Sequence, residues 1–222
     1  MPARETHSGP RMRVAVLASG RGSNLTALLA AERHGRLGAE IALVASDRAD
    51  APALDRARES GKPAVIIDPG PSKHRLSAEA EANVIALLHE HKIDLIALAG
   101  FMRIVGRGLL AAFPNRVVNI HPSLLPAFPG LDAQRQAWEA GVRFAGCTVH
   151  FVNEAVDAGP IILQSVVPVL RSDSPESLAE RILAREHVIY PQSLRLIAEG
   201  RLTISGRRVA IDDDGASWLS HD

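Results

Sequence analysis

Three polar side chains in the second half of the chain have the types and positions needed for acyl-transfer chemistry. Asn119 and His121 stand two residues apart at the end of the apolar run "RVVNI", before a proline-rich loop. A β-strand points residues i and i+2 to the same side, so the amide and the imidazole should share a face. Asp157 lies in the turn sequence "EAVDAGPI", between two further apolar runs. Sequence spacing does not show that Asp157 reaches His121, and His150 in "TVHFV" is a competing partner.

These residue types suit direct acyl transfer through a tetrahedral intermediate. An amide N–H stabilises a developing oxyanion, an imidazole moves protons, and a nearby carboxylate favours the charged imidazole and fixes its orientation. Ordinary structural explanations also exist, namely a core histidine bonded to backbone and Asx-type turns at Asn119 and Asp157. From the residues alone both interpretations stay open. Cys147 is a poor nucleophile candidate because it lies inside a predicted strand without an activating group.

A glycine-containing loop follows the first predicted strand in "AVLASGRGSNLTALL". Glycines let the backbone approach a ligand closely, and a helix N-terminus presents free N–H groups to an anion. The pattern matches neither the dinucleotide fingerprint nor a Walker A loop. An anion site at this turn and a simple strand-to-helix turn, with Ser23 or Asn24 as N-cap, are both compatible with it.

Composition limits the class of protein. The chain has 222 residues, of which 46 % are hydrophobic and 23 % charged, and this suits one large domain. Its formal net charge of zero does not favour nucleic acid as a partner. The single Cys147 excludes an internal disulfide and a multi-cysteine metal site. No apolar run approaches the roughly 20 residues that span a bilayer, so we expect no membrane insertion and a cytoplasmic location.

Apolar runs alternate with helix-type patterns over the first 120 residues. Such alternation predicts an α/β fold with a mostly parallel open sheet flanked by helices. The predicted strands are 13–19, 40–46, 63–68, 93–100 and 116–120, and the predicted helices are 24–35, 51–61, 77–91 and 106–112.

The pattern changes after residue 120 and predicts an antiparallel C-terminal segment. The connection between the next two runs is too short for a crossover helix, so these strands should pair antiparallel. Asp132 is a predicted N-cap, Pro175 suits the first turn of a long helix, and Pro191 should kink that helix or divide it in two. The predicted elements are a helix at 132–141, strands at 146–153 and 160–169, a helix at 174–199 and a hairpin turning at Ser205–Gly206. We expect a disordered leader at 1–12, a single domain at 13–211 and a tail at 212–222.

The chain resembles the phosphoribosylglycinamide formyltransferases, a folate-dependent family of purine biosynthesis. The motifs occur in the family's order over about residues 12 to 200, and they are "GRGSN", "LAGFMRI", "NIHPSLLPAFPG", "TVHFV", "DAGPIILQ" and "REHVIYP". "NIHPSLLP" marks the wider superfamily, whereas "GSN" with "LAGFMRI" indicates the glycinamide ribonucleotide branch. The resemblance implies formyl transfer from 10-formyltetrahydrofolate to the primary amine of glycinamide ribonucleotide. It implies no metal, and we expect a monomer or a weak homodimer.

The resemblance also assigns residues by motif. Asn119, His121 and Asp157 match the catalytic trio, and Leu125-Pro126 matches a cis peptide bond. The substrate's phosphate would bind Gly22, Ser23 and Asn24, and its ribose would contact Glu186. The folate would bind the segment Met102, Arg103, Ile104 and Val105, together with Asn119, and Arg75 matches an arginine near the folate tail.

The sequence departs from the family pattern at two positions in the assigned regions. Leu183 stands where a glutamine is frequent, which puts one polar substrate contact in question. Ala158 stands where a second glycine is common, a mild change if its φ is negative.

Two alternatives accompany the resemblance. The first is another folate enzyme, either a formyltetrahydrofolate hydrolase or a formyltransferase acting on an initiator tRNA or a sugar nucleotide. The hydrolase usually carries an N-terminal regulatory domain and the tRNA enzyme a C-terminal domain, and we expect this chain to have neither. The second is a non-catalytic nucleotide-binding module that uses only the "GRGSN" loop, which leaves Asn119, His121 and Asp157 unexplained.

Overall fold

A seven-stranded sheet forms the centre of the computed structural model, which describes residues 11–212. The strands are β1 (Met12–Leu17), β2 (Ala39–Ser46), β3 (Ala64–Ile66), β4 (Leu95–Leu98), β5 (Val117–His121), β6 (Phe144–Phe151) and β7 (Ile161–Pro168). They lie in the order β3-β2-β1-β4-β5-β6-β7. The first five run parallel, whereas β6 pairs antiparallel with both β5 and β7. The predicted fold class and the antiparallel segment are confirmed.

Six helices cover the sheet in the described residues. They are α1 (Ser23–Arg33), α2 (Pro52–Glu59), α3 (Ala78–Glu90), α4 (Arg107–Ala112), α5 (Ala133–Glu139) and α6 (Pro175–Ala198). Alternate residues of β1 enter different cores. Val14 and Val16 belong to the cluster formed with α1 and α6, and Ala15 and Leu17 to the cluster with α3 and α4. This two-sided burial explains the continuous apolar strands in the sequence.

The C-terminal hairpin lies outside the main sheet. Strands β8 (Leu202–Ser205) and β9 (Arg208–Ile211) pair antiparallel, and their turn begins at Ser205–Gly206 as predicted. Met12 already belongs to β1, so the sheet begins within the predicted leader. The remainder of that leader, to residue 10, and the tail from 213 lie outside the described residues.

Two helix predictions need correction, and a third, the N-cap position of Asp132, is confirmed. Helix α1 is capped by Gly22 in the left-handed region, and neither Ser23 nor Asn24 is its N-cap. Asp132 occupies the N-cap position of α5 as predicted, but it has a left-handed φ of 54° and its side chain makes no capping hydrogen bond. Helix α6 continues through Pro191, so the alternative of division into two helices is wrong. A buried face that includes Tyr190, Pro191 and Leu194 packs this helix onto the core and outweighs the local cost of the proline.

Candidate active site

The candidate site lies where parallel strands end and the sheet order reverses. The chain moves from β1 toward β2 on one side and later returns to place β4 on the other side of β1. Connections diverge at such a point and leave a crevice at the carboxyl ends of the strands. The Ser19 N–H donates to the Gly100 carbonyl oxygen at 3.1 Å and joins the loops that follow β1 and β4.

Asn119 and His121 occupy one face at the end of β5, as their spacing predicts. Asn119 pairs with His150 on β6, and His121 pairs with Thr148. The His121 residue is 4 % exposed, and Asn119 is half-buried. Burial alone would fit a core histidine, so the partners of its ring decide between the two interpretations.

Both ring nitrogens of His121 have polar neighbours. Nε2 lies 3.0 Å from the Phe128 carbonyl oxygen, which can only accept, so Nε2 carries a hydrogen. Nδ1 lies 3.4 Å from Asp157 Oδ2. A carboxylate next to Nδ1 holds the orientation of the ring. The structure therefore brings together His121 and Asp157, which the sequence separates by 36 residues.

Asp157 is held in the turn between β6 and β7. Its φ is 51°, in the left-handed region that aspartate tolerates better than most residues. Its Oδ2 accepts the Gly130 N–H at 2.8 Å, which connects the turn to the loop after β5. Gly159 makes the turn possible, because a Cβ there would lie 1.8 Å from the Phe151 carbonyl oxygen. Ala158 is not among the residues with positive φ, so its replacement of a glycine introduces no strain of this kind.

His150 is the polar member of the site whose role the sequence left unresolved. Its Nδ1 lies 2.9 Å from the Phe151 carbonyl oxygen and must carry a hydrogen, so Nε2 of the neutral ring is an acceptor. The Asn119 amide nitrogen lies 3.3 Å from this Nε2, and Asp157 Oδ1 lies 3.7 Å from it. Burial lowers the pKa of His150 and favours the neutral ring. His150 therefore contacts both Asn119 and Asp157.

Side chains of β6 and β7 fix the proline-rich loop after His121. The Thr148 hydroxyl donates to the Ser123 carbonyl at 2.7 Å and accepts the Leu125 N–H at 3.1 Å. The Gln164 amide donates to the Leu125 carbonyl at 2.9 Å. The Leu125-Pro126 peptide bond is cis, as the resemblance implied.

The glycine-containing loop after β1 leads directly into the N-terminus of α1. Gly22 has φ 73°, and a Cβ there would lie 2.9 Å from Ala53 Cα and Cβ, so a side chain is excluded for two independent reasons. The loop is braced by α2, since the Ala53 N–H donates to the Gly20 carbonyl at 3.2 Å. The first N–H groups of an α-helix such as α1 have no partner within the helix, and the N-terminus carries the positive end of the helix dipole.

Asn24 and Glu186 meet beside this loop. The Asn24 amide donates to Glu186 Oε2 at 2.7 Å, although 162 residues separate them in sequence. Asn24 Oδ1 is buried and has no hydrogen-bond partner among the described residues. Burial raises the pKa of Glu186, and the hydrogen bond from Asn24 partly opposes that shift. The nearby Leu183 is half-buried on the same helix.

The segment Met102–Val105 follows β4 along the edge of the crevice. Met102 is 60 % exposed and Val105 is buried. The Met102 N–H donates to Ser19 Oγ at 2.9 Å, and the Ile104 N–H donates to the His74 carbonyl at 2.8 Å. Exposed Arg75 forms an isolated parallel bridge with Ile104, so the structure places it beside this segment.

Other chemical possibilities find less support. Cys147 is buried, and its burial raises the pKa of the thiol, in agreement with the poor nucleophile inferred from its position. Residues 11–212 contain no cluster of three or more His, Cys, Asp or Glu side chains arranged for a metal ion. Within the same residues, none of the helices is long and apolar enough to cross a membrane.

Comparison with known proteins identifies the class. Residues 12–194 match the family described as formyl transferase, and the chain belongs to this family. It is 39% identical over 215 residues to phosphoribosylglycinamide formyltransferase of Escherichia coli (strain K12), covering 94% of this chain and 93% of that protein. The resemblance inferred from the motifs is confirmed.

Two further relatives extend this comparison. A crystal structure of glycinamide ribonucleotide transformylase 1 from Symbiobacterium toebii is 55% identical, with a TM-score of 0.89 over 93% of this chain and 96% of that one. The human trifunctional purine biosynthetic protein adenosine-3 is 44% identical over 194 residues, 87% of this chain. This chain spans 19% of the length of that human relative.

Proposed function

We propose that this chain transfers the formyl group of 10-formyltetrahydrofolate to the primary amine of glycinamide ribonucleotide, in purine biosynthesis. The observation that carries the proposal is the convergence of an amide, an imidazole and a carboxylate at the end of β5, with His121 Nδ1 3.4 Å from Asp157 Oδ2. Relatives that carry the names of this activity, at 39% to 55% identity, support it. Both substrates are small molecules, and a cytoplasmic location fits this metabolic role.

In this mechanism the amine attacks the formyl carbon directly. Asn119 retains one amide hydrogen when the other points to His150, and this hydrogen faces the developing oxyanion. His121 stabilises the same oxyanion and passes a proton from the attacking amine to N10 of the folate, while Asp157 holds the ring. The bond between the formyl carbon and N10 then breaks, and tetrahydrofolate leaves. Because Nε2 contacts the Phe128 carbonyl, the bound formyl group must take the place of that carbonyl as the partner of Nε2.

The two substrates would occupy opposite sides of this trio. The phosphate of glycinamide ribonucleotide would bind the first N–H groups of α1 at Gly22, Ser23 and Asn24, and Glu186 would accept from the ribose. The folate would lie along Met102, Arg103, Ile104 and Val105, with Arg75 near its acidic tail. The crevice at the sheet reversal lies between these two regions.

An assay with separated substrates tests the proposal. Purified protein is given 10-formyltetrahydrofolate with and without glycinamide ribonucleotide, and tetrahydrofolate and formylated product are both measured. Transfer predicts that both products form in equal amounts and that neither forms without the amine. Folate turnover that is independent of the amine would identify a hydrolase, and binding of the ribonucleotide without turnover would identify a binding module.

A further inference from the structure

A buried carboxylate outside the proposed catalytic trio joins three loops at the crevice. Asp47 directly follows β2, and its side chain is only 2 % exposed. Its Oδ1 accepts the Ser19 hydroxyl at 2.5 Å, and its Oδ2 accepts Arg103 Nε at 2.6 Å. Ser19 belongs to the loop after β1 and Arg103 to the loop after β4, so one carboxylate links three adjacent strand ends.

The partners of Asp47 hold the backbone of the segment 102–105. Ser19 Oγ, which donates to Asp47, accepts the Met102 N–H at 2.9 Å. The Arg103 guanidinium also donates to the Ser72 carbonyl, on the loop that carries Arg75. The segment is therefore attached to Asp47 through Ser19 and through Arg103.

Val105 anchors one end of this segment in the core, but apolar burial does little for residues 102–104, so polar contacts must hold them. Met102 is 60 % exposed and Ile104 is 36 % exposed, whereas the Arg103 side chain is only 16 % exposed. Hydrogen bonds to a buried carboxylate are stronger than those between neutral groups, and losing one partner leaves the others unsatisfied. Without Asp47, the Ser19 hydroxyl loses its acceptor and the Arg103 guanidinium loses its counter-ion.

We propose that Asp47 is a positioning residue that fixes the backbone of Met102–Val105 and thereby sets the affinity for the folate co-substrate. The proposal rests on the proposed function in assigning this segment to the folate. Asp47 acts through Ser19 and Arg103, and it takes no part in the proton transfer at His121.

Kinetics of Asp47→Ala and Asp47→Asn test the proposal. Asp47→Ala should raise KM for 10-formyltetrahydrofolate at least tenfold and leave kcat and KM for glycinamide ribonucleotide within about twofold. Asp47→Asn keeps an acceptor for the Ser19 hydroxyl and should recover part of the loss. The matched control is Asp50→Ala, which removes an exposed pair with Arg48 on the same connection and should change none of these constants.

Two measurements on the protein without turnover separate this proposal from the proposed function. Amide hydrogen exchange of residues 100–105 should become at least tenfold faster in Asp47→Ala and stay unchanged in Asp50→Ala. Calorimetric binding of tetrahydrofolate should weaken by the same factor as the KM effect. Unchanged exchange and unchanged tetrahydrofolate affinity would overturn the positioning role even in an active enzyme. Faster exchange with weaker binding would support it even if no formyl transfer were found.

Thermal unfolding distinguishes positioning from general destabilisation. If Asp47→Ala also lowers Tm, the comparison is made with Asp47→Asn and with Arg103→Ala at temperatures where all variants are folded. The effects of Asp47→Ala and Arg103→Ala on tetrahydrofolate affinity should not add in the double variant, because both remove one connection. Additive effects would contradict the proposal.

Discussion

Asn119 and His150 lie directly opposite each other on β5 and β6, with the amide nitrogen 3.3 Å from His150 Nε2. The hydrogen on His150 Nδ1 points to the Phe151 carbonyl, so Nε2 can only accept in the neutral ring. This arrangement sets which end of the Asn119 amide faces which neighbour. The N–H₂ group is therefore held at the proposed catalytic site, where the proposed oxyanion would need a donor.

Replacing His150 should therefore impair turnover more than binding. His150→Leu removes the acceptor, and the freed amide should lose about 0.5–1.5 kcal/mol of its preference for the productive orientation. We expect kcat to fall roughly two- to tenfold, with both KM values nearly unchanged, and His150→Gln to recover part of the rate. Steady-state kinetics measure this, and an unchanged kcat in His150→Leu would contradict the orienting role.

The same residue should affect stability in acid. Burial places the pKa of His150 in the folded protein below its value in the unfolded chain. As the pH falls below about 6.5, the unfolded state takes up a proton that the folded state resists, so stability is lost in that range. Unfolding experiments at pH 5 and 7.5 should show that the free energy of unfolding falls less between pH 7.5 and pH 5 in His150→Leu than in the wild type. An equal loss of stability in the two proteins would show that the pKa of His150 is the same in the folded and unfolded states.

Removal of either proposed oxyanion donor should have a much larger effect on rate. Asn119→Ala and His121→Ala should each lower kcat about 10²–10³-fold, equivalent to roughly 3–4 kcal/mol in the barrier. Binding of glycinamide ribonucleotide should remain nearly normal, because its proposed phosphate and ribose contacts lie on α1 and α6. Single-turnover kinetics and calorimetry measure the two effects. Near-wild-type turnover in either variant would show that the residue is not catalytic.

A substitution in the turn that carries Asp157 tests whether the position of this carboxylate matters, without changing Asp157 itself. Gly159→Ala would place Cβ 1.8 Å from the Phe151 carbonyl oxygen, so the turn must move and take Asp157 with it. We expect a loss of about 2–4 kcal/mol in the free energy of unfolding and at least a tenfold loss of kcat. Ala158→Gly is the matched neighbour and should cost at most about 1 kcal/mol. Equal effects of the two substitutions would show that the contact at residue 159 is unimportant.

The sequence predicted the sheet, its parallel and antiparallel parts and the face shared by Asn119 and His121. These features depend on local periodicity and on the length of connections, which a single sequence displays. It could not predict that Asp157 contacts both His121 and His150, or that Asn24 contacts Glu186, because these contacts join distant parts of the chain. The contacts of Asp47 could not be predicted for the same reason, since its partners on the loops after β1 and β4 meet only in the folded sheet.

The N-cap of α1 and the effect of the proline inside α6 were the least predictable local features. Ser23 and Asn24 have good N-cap side chains, yet the close approach of Ala53 requires a glycine at 22, and this residue becomes the cap. Pro191 predicted a kink or a division of the helix, and the buried face of α6 keeps the helix continuous, so the division does not occur. In both cases packing outweighed local preference.

Glu186→Gln should stabilise the protein and weaken substrate binding at the same time. Burial raises the pKa of this carboxyl, so the folded state holds its proton more tightly than the unfolded state does. Burying the ionised Glu186 carboxylate lowers the free energy of unfolding. This cost is absent below about pH 4.3 and grows as the pH rises toward the folded-state pKa. A glutamine cannot ionise but can still accept from Asn24. Thermal unfolding should therefore give the variant a higher Tm than the wild type at pH 7, with a smaller difference at pH 4.5.

The cost of this substitution should appear in the affinity for glycinamide ribonucleotide. An amide has one acceptor oxygen where the carboxylate has two, and that oxygen is occupied by Asn24, so the proposed ribose contact is weakened. Calorimetry should show a Kd raised about tenfold, which corresponds to about 1.4 kcal/mol. The matched control is Glu180→Gln on the exposed face of the same helix, which should change neither Tm nor Kd. A lower Tm at pH 7 would contradict the burial cost, and an unchanged Kd would remove Glu186 from the proposed ribose site. The two outcomes are independent, because the first depends on ionisation of the free protein and the second on contact with the ligand.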